Sequence, residues 1–174
     1  MEKTTVDNTY DEYILNYAMS FFANHHKDGE GEALFLEYIG QKYGTESLGV
    51  YAGEFDDWEV ETAAWYCVKT MQYSDAIRLY ENLCFERNTK PSYYAQINLG
   101  SLYYAMGEEE KALKVYGDLV SKNIDDDVAS EVHYRIGCIH FDMKDKKNAL
   151  LSLNYSVKLN PNNHKARLLL KQLK

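Results

Sequence analysis

The chain is organised around residues 93–123, YYAQINLGSLYYAMGEEEKALKVYGDLVSKN, which predict two helices joined by a tight turn at Gly107. Apolar side chains recur at steps of three and four residues on both sides of that glycine, as in amphipathic helices. They are Leu99, Leu102, Tyr103 and Met106 before the turn, and Ala112, Val115, Tyr116, Leu119 and Val120 after it. A single hairpin cannot bury such faces, so we expect neighbouring hairpins of the same kind.

The hairpin pattern occurs three times. Its landmarks are a small residue in the first helix, an alanine twelve residues later and a bulky residue four positions beyond that alanine. The central unit has Gly100, Ala112 and Tyr116, and the flanking units have Ala64, Ala76 and Tyr80, and Gly137, Ala149 and Leu153. The alanines are 36 and then 37 residues apart. A regular internal repeat of this kind is typical of a helical solenoid.

This pattern resembles the tetratricopeptide repeat family, whose unit is a helix-turn-helix of about 34 residues. The resemblance covers about residues 57–161 and is strongest at Leu99-Gly100 with Tyr103, Ala112 and Tyr116, and at Ile136-Gly137 with Ala149 and Pro161. It implies an all-α fold, a right-handed α-solenoid of antiparallel helix pairs. The longer steps between units predict longer turns between repeats or extended helices.

We expect three segments. Residues 1–55 are predicted to form a divergent N-terminal helical hairpin and a loop, which cap the solenoid. Residues 56–162 hold three repeats, at about 57–90, 91–124 and 128–161, and residues 163–174 form a C-terminal capping helix whose leucines cover the last repeat. The predicted helix starts are Asp56 with Glu59, Ser74 or Asp75, Ser92 or Thr89 with Pro91, the run Asp125–Asp127, and Asn162 or Asn163.

Composition limits the function classes. The chain has 174 residues, of which 45% are hydrophobic and 26% charged, which indicates a globular domain. No apolar run approaches the roughly 18 residues needed to cross a bilayer, and the acidic N-terminus does not resemble a signal peptide. We therefore expect a cytoplasmic protein. A net charge of −8 argues against binding to nucleic acid.

Motifs for catalysis or metal binding are missing from the sequence. It contains no Gly-rich phosphate loop, GxSxG elbow, HExxH or CxxC. Cys67, Cys84 and Cys138 are predicted to be buried free thiols, and His133 and His140 to be structural side chains in the last repeat. We expect a binding protein with no enzymatic activity, cofactor or metal.

The family resemblance implies that the first helices of successive repeats line a concave groove, which binds a peptide or a helix of a partner. Carried over position by position, the resemblance gives the predicted partner-binding residues Glu61, Trp65, Tyr94, Asn98, Tyr104, Glu131, Tyr134 and Arg135, with Ser101 and Phe141 beside them. The alternative is that the tyrosines pack inside the solenoid, as a stripe at helical spacing usually does.

A subset of the family clamps the C-terminal carboxylate of a partner with lysines, an arginine and asparagines. Here Asn98 and Arg135 match that pattern, whereas Glu61, Trp65 and Glu131 stand at the other places. Acidic side chains repel a carboxylate, so the sequence argues against such a clamp. Because Glu61 and Glu131 flank Arg135, we hypothesise a groove that prefers peptides with basic and apolar side chains.

The overall prediction is a protein-interaction adaptor. Residues from Lys144 onward include eight basic residues and one acid, a balance that either promotes head-to-tail association or solvates the end of the solenoid. Two alternatives stay open. One is a small secretion-type chaperone or co-chaperone, because bacterial translocator chaperones are similar in length, acidity and repeat number. The other is a self-associating structural scaffold, that is, a homo-oligomer.

Overall fold

The computed structural model describes residues 57–69, 71–87 and 89–173. Internal contacts divide the chain into Met1–Phe55 and Asp56–Lys174, and all described residues belong to the second unit. The predicted N-terminal hairpin, the loop that follows it and the capping residue Asp56 lie outside the described residues. The account below therefore concerns the second unit.

The described ranges contain seven α-helices and no strand. A π-helical turn, Asn82–Glu86, extends the second helix. None of the helices in these ranges combines the length and apolar character that crossing a bilayer requires. The helices are α1 Asp57–Lys69, α2 Tyr73–Glu81, α3 Tyr93–Ala105, α4 Glu109–Val120, α5 Asp126–Asp142, α6 Lys146–Leu159 and α7 His164–Leu173.

Consecutive helices pair as hairpins that stack in chain order. α1 packs on α2, α3 on α4 and α5 on α6, and α7 packs on α6. Each hairpin also contacts the next, through α2 with α3 and through α4 with α5. This arrangement is the all-α solenoid that the sequence predicts.

The three landmark alanines have equivalent surroundings. Each is fully buried and is the fourth residue of the second helix of its hairpin. Each also donates its backbone N–H to the carbonyl of the residue just before that helix, and the distances agree within 0.1 Å. These bonds are Ala76 to Gln72 at 3.0 Å, Ala112 to Glu108 at 3.1 Å and Ala149 to Asp145 at 3.0 Å.

A close approach of the two helices explains the small residues. A Cβ atom placed on Gly100 would lie 2.5 Å from Cε1 of Tyr116, and one on Gly137 would lie 2.6 Å from Cγ of Leu153. Tyr116 and Leu153 are both almost completely buried, so they have little room to move away. The small and bulky landmarks therefore contact each other inside each of these two hairpins.

The same turn joins the helices of every hairpin. In the central one, Gly107 N–H donates to Tyr104 O at 3.0 Å and Glu108 N–H donates to Tyr103 O at 2.8 Å, the two bonds of a Schellman motif. The same pair of bonds occurs around Met71 and Lys144. The φ angles of Met71, Gly107 and Lys144 are +62°, +76° and +64°. The sequence indicates this turn at Gly107 but not at the other two sites, where a side chain disfavours positive φ.

Two predicted helix caps are confirmed and one is wrong. The Ser92 hydroxyl accepts the N–H of Ala95 at 2.9 Å, and the Asn163 side-chain oxygen accepts the N–H of Ala166 at 3.1 Å. The predicted cap of α2 at Ser74 or Asp75 is wrong, because α2 already begins at Tyr73 and its N-cap is Gln72. The positive φ of Met71 reverses the chain direction immediately before α2. The helix therefore begins without a capping hydrogen bond from a side chain.

The strained turn at Lys144 gives the first prediction. Replacing it with glycine, Lys144→Gly, should raise the free energy of unfolding by up to about 1 kcal/mol, since glycine adopts positive φ without a Cβ clash. The control is Lys158→Gly in α6, which should lower the free energy of unfolding by about 1 kcal/mol. Urea unfolding followed by circular dichroism measures both. A loss of stability in both variants would contradict the proposed turn geometry.

The pH dependence of stability gives the second prediction. His133 stacks on Tyr155 of α6, with ring centroids 5.4 Å apart, and burial lowers the pKa of His133. The folded state therefore resists protonation below the ordinary pKa of about 6.5, and stability should fall as pH drops from 7 towards 5. The slope from one proton is at most about 1.4 kcal/mol per pH unit.

A substitution at His133 isolates the contribution of this side chain to the pH dependence of stability. His133→Phe keeps an aromatic ring against Tyr155 but cannot titrate, so it should flatten the loss of unfolding free energy measured by urea titration at each pH. All other histidines are the same in the wild type and in His133→Phe, so their contributions to the pH slope cancel in this comparison. An identical pH slope in the wild type and His133→Phe would refute this assignment.

Candidate functional site

The first helices of the second and third hairpins lie side by side, and α7 lies next to them. α5 contacts both α3 and α7. α7 has the position that the first helix of a further hairpin would take, since it packs on α6 as α5 packs on α4. The helices α3, α5 and α7 therefore form one continuous surface.

A pocket of about 510 Å³ opens between these three helices. Its apolar lining is contributed by Tyr104, Tyr134, Cys138, Phe141, Leu168 and Leu169. Its polar lining is contributed by Asp142, Lys165 and Gln172. Leu168 is 60% exposed, so apolar surface remains accessible to a partner here. Clefts that bind small ligands fall in the range of about 300–1,000 Å³, so the pocket has room for bulky side chains.

Two of the predicted partner-binding residues, Tyr104 and Tyr134, line this pocket. The Tyr104 hydroxyl donates to a carboxylate oxygen of Asp142. Burial and then this hydrogen bond raise the pKa of Tyr104, and burial raises the pKa of Tyr134 to about 12. Both phenols therefore stay protonated near neutral pH and act as hydrogen-bond donors.

The predicted residues Glu131 and Arg135 pair with each other in α5. Arg135 Nη2 lies 2.8 Å from Glu131 Oε1, and Arg135 Nη1 donates to Ser101 Oγ of α3 at 2.8 Å. Ser101 Oγ in turn lies 2.9 Å from the hydroxyl of Tyr116 in α4. Arg135 Nε is buried and has no acceptor among the described residues. The guanidinium group therefore links α5 to α3.

The remaining predicted residues belong to the first two hairpins. Asn98 donates its side-chain N–H to the Tyr80 hydroxyl at 3.1 Å. Glu61 accepts a hydrogen bond of 2.7 Å from the hydroxyl of Ser92, the residue that caps α3. Trp65 is half-buried, whereas Tyr94 is 69% exposed. Tyr94 is thus the predicted residue most accessible to a partner, although it lies outside the pocket.

The three cysteines form no disulfide bond and have low reactivity. Cys67 is buried as predicted, whereas Cys84 and Cys138 are half-buried. Burial raises the pKa of Cys67 to about 11, that of Cys84 to about 12 and that of Cys138 above its ordinary value. The thiolate is the nucleophilic form, so all three are weak nucleophiles near neutral pH. In the described ranges, no three His, Cys, Asp or Glu side chains are grouped as metal ligands would be.

The sequence predicts α7 as a cap, whereas in the structure this helix also lines the pocket. Leu169, Leu170 and Leu173 pack against the last hairpin as predicted, and Leu168 instead faces the pocket. The signal is the consecutive run Leu168–Leu170. Successive residues of a helix point about 100° apart, so three adjacent leucines cannot all face one neighbour. One of them had to be exposed.

Comparisons with known proteins agree with the architecture. Residues 94–123 and residues 130–163 each match a model of the tetratricopeptide repeat. The chain is also similar to the anaphase-promoting complex subunit CDC16 of Saccharomyces cerevisiae, with 31% identity over 105 residues. That alignment covers 60% of this chain but 12% of the relative. Together with the stacked hairpins, these matches support a general role in protein–protein interaction. The second and third hairpins of this chain are therefore tetratricopeptide repeats.

Proposed function

We propose that the chain is a non-catalytic interaction module that holds a segment of a partner protein on the surface formed by α3, α5 and α7. The observation that carries this proposal is the pocket of about 510 Å³ with the exposed Leu168 in its wall. Exposed apolar side chains in a concave site provide the desolvation energy for binding a partner. The aromatic residues Tyr104, Tyr134 and Phe141 add large contact area at a low cost in rotamer entropy.

The internal bonds of the predicted residues indicate how they contribute. Arg135 and Asn98 hold neighbouring helices together, so we propose that they shape the groove rather than contact the partner first. Glu61 has the same role through Ser92. Tyr104 and Tyr134 contact the partner inside the pocket, and Tyr94 extends the contact along α3. The binding role thus falls mainly on the C-terminal part of the surface.

The third prediction tests this surface with two exposed leucines. Leu168→Lys places a charge in the pocket wall and should weaken partner binding by about 10- to 100-fold, the effect of losing one buried leucine side chain. Leu151→Lys makes the same change on α6, where the leucine is 54% exposed and lines no part of this pocket, and should leave binding unchanged. Affinity capture with mass spectrometry identifies partners, and titration of a captured partner gives the affinity.

Three further measurements accompany this experiment. Circular dichroism establishes that both variants keep the helical content of the wild type. Tyr94→Ala tests whether the contact continues along α3. Light scattering tests the alternative of self-association, which would show as a concentration-dependent mass. Partners that survive Leu168→Lys, or that are lost equally with Leu151→Lys, would contradict the proposed surface.

A further inference from the structure

The C-terminal part of the chain carries an uncompensated positive charge. Residues 146–174 contain seven lysine and arginine residues and no aspartate or glutamate. Solvation of the end of the solenoid accounts for charges that point into open water. It does not account for charges placed around an apolar pocket, and two of these lysines, together with Lys144 just before them, have that position.

Two adjoining pockets place these lysines around apolar surface. Lys165 lines the pocket described above. A second pocket of about 280 Å³ is lined by Lys144, Lys146 and Leu173, and also by Phe141 and Asp142. Phe141 and Asp142 line both pockets, so the two form one groove. Apolar residues of this groove lie beside lysines in both pockets, Lys165 in the larger one and Lys144 and Lys146 in the smaller one.

The ammonium groups of the groove are available for binding. Lys144, Lys146 and Lys165 are exposed, and none of them belongs to an ion pair in the described part of the chain. The groove contains one acidic residue, Asp142, and its carboxylate already accepts the Tyr104 hydroxyl. Three lysines against this one carboxylate give the residues that line the groove a net positive charge.

The acids that would attract a basic partner are engaged elsewhere. Glu131 forms an ion pair with Arg135, and Glu61 accepts the hydroxyl of Ser92. Neither lines the two pockets. Glu61 and Glu131 therefore do not attract basic side chains into these two pockets, and the preference for basic peptides that the sequence suggested around Arg135 stays a prediction.

We propose that the groove between α3, α5 and α7 binds an acidic amphipathic segment within a partner protein. This inference rests on the proposed function and specifies the chemistry of the partner. Apolar side chains of the segment enter the pocket beside Phe141 and Leu168. Carboxylates of the segment pair with Lys144 and Lys146 in the smaller pocket and with Lys165 in the larger one. Complementary charge of this kind sets specificity and increases the association rate.

Matched peptides test the charge preference. Three short peptides share the same leucine and phenylalanine residues at helical spacing and carry glutamate, glutamine or lysine at all other positions. Their C-termini are amidated, so a terminal carboxylate cannot contribute. Fluorescence anisotropy against the full chain should give the order glutamate, then glutamine, then lysine. The preference for the acidic peptide should shrink at high salt, because exposed charges are screened.

Two pairs of charge reversals locate the binding site. Lys146→Glu with Lys165→Glu changes the groove and should weaken binding of the acidic peptide by about two- to fivefold for each lysine. Lys147→Glu with Lys158→Glu makes the same change in net charge on α6, outside both pockets, and should have a clearly smaller effect. Asp142→Asn removes the acid of the groove and should tighten binding.

Each outcome bears on a separate part of the proposal. Stronger binding of the lysine peptide, equal losses from the two double variants, or no binding of the acidic peptide even at about 1 mM would overturn the inference. If the glutamine peptide binds as well as the acidic one but is lost with Leu168→Lys, the proposed groove stands and its charge preference is refuted. If Leu168→Lys leaves all peptide binding intact, the groove itself is the wrong surface.

A second copy of the chain is the competing occupant. Its signature is a dimer in light scattering that becomes monomeric in Leu168→Lys. That result would overturn the proposal of an acidic partner segment. A monomer that binds the acidic peptide supports it.

Discussion

Close contact between a small residue of the first helix and a bulky residue of the second sets the geometry of the hairpins. At Gly100 and Gly137 the space for a Cβ atom is already occupied by Tyr116 and Leu153. The helices can therefore lie closer together than larger side chains would allow. Because the landmark alanines, the turns and these contacts recur at matching positions, each hairpin presents a similar shape to the next. Stacking then buries apolar faces that a single hairpin would expose.

Stacking also determines where the proposed binding surface lies. It places α3, α5 and α7 next to each other, and polar contacts then fix their relative positions. Arg135 joins α5 to α3 through Ser101, and a buried cluster in which Asn163 donates to Ser130 and Ser156 joins the start of α7 to α5 and α6. The proposed binding surface consequently reaches the last helix of the described residues, where α7 completes the apolar pocket and supplies Lys165.

Periodicity and residue type are sufficient to predict the helices, their pairing and the landmark contacts from the sequence. Gly107 is predictable as a turn because glycine adopts positive φ freely, whereas Met71 and Lys144 adopt it against their own preference and give no signal. The bond from Arg135 to Ser101 depends on how neighbouring helices are rotated, which one sequence does not specify. Tyr104 and Tyr134 line the pocket, and their contact with a partner stays a prediction. The contribution of α7 to the pocket depends on the same helix rotations, so the sequence does not indicate it.

A double-mutant cycle on Gly137 and Leu153 tests the packing contact most directly. In the wild-type background, Gly137→Ala should lower the free energy of unfolding by about 1–3 kcal/mol, because the new methyl group overlaps the Leu153 side chain. In the Leu153→Ala background the methyl group fills vacated space, and the same change should cost almost nothing or stabilise the helix. The account predicts a coupling energy of at least about 1 kcal/mol between the two sites, and additive effects would contradict it.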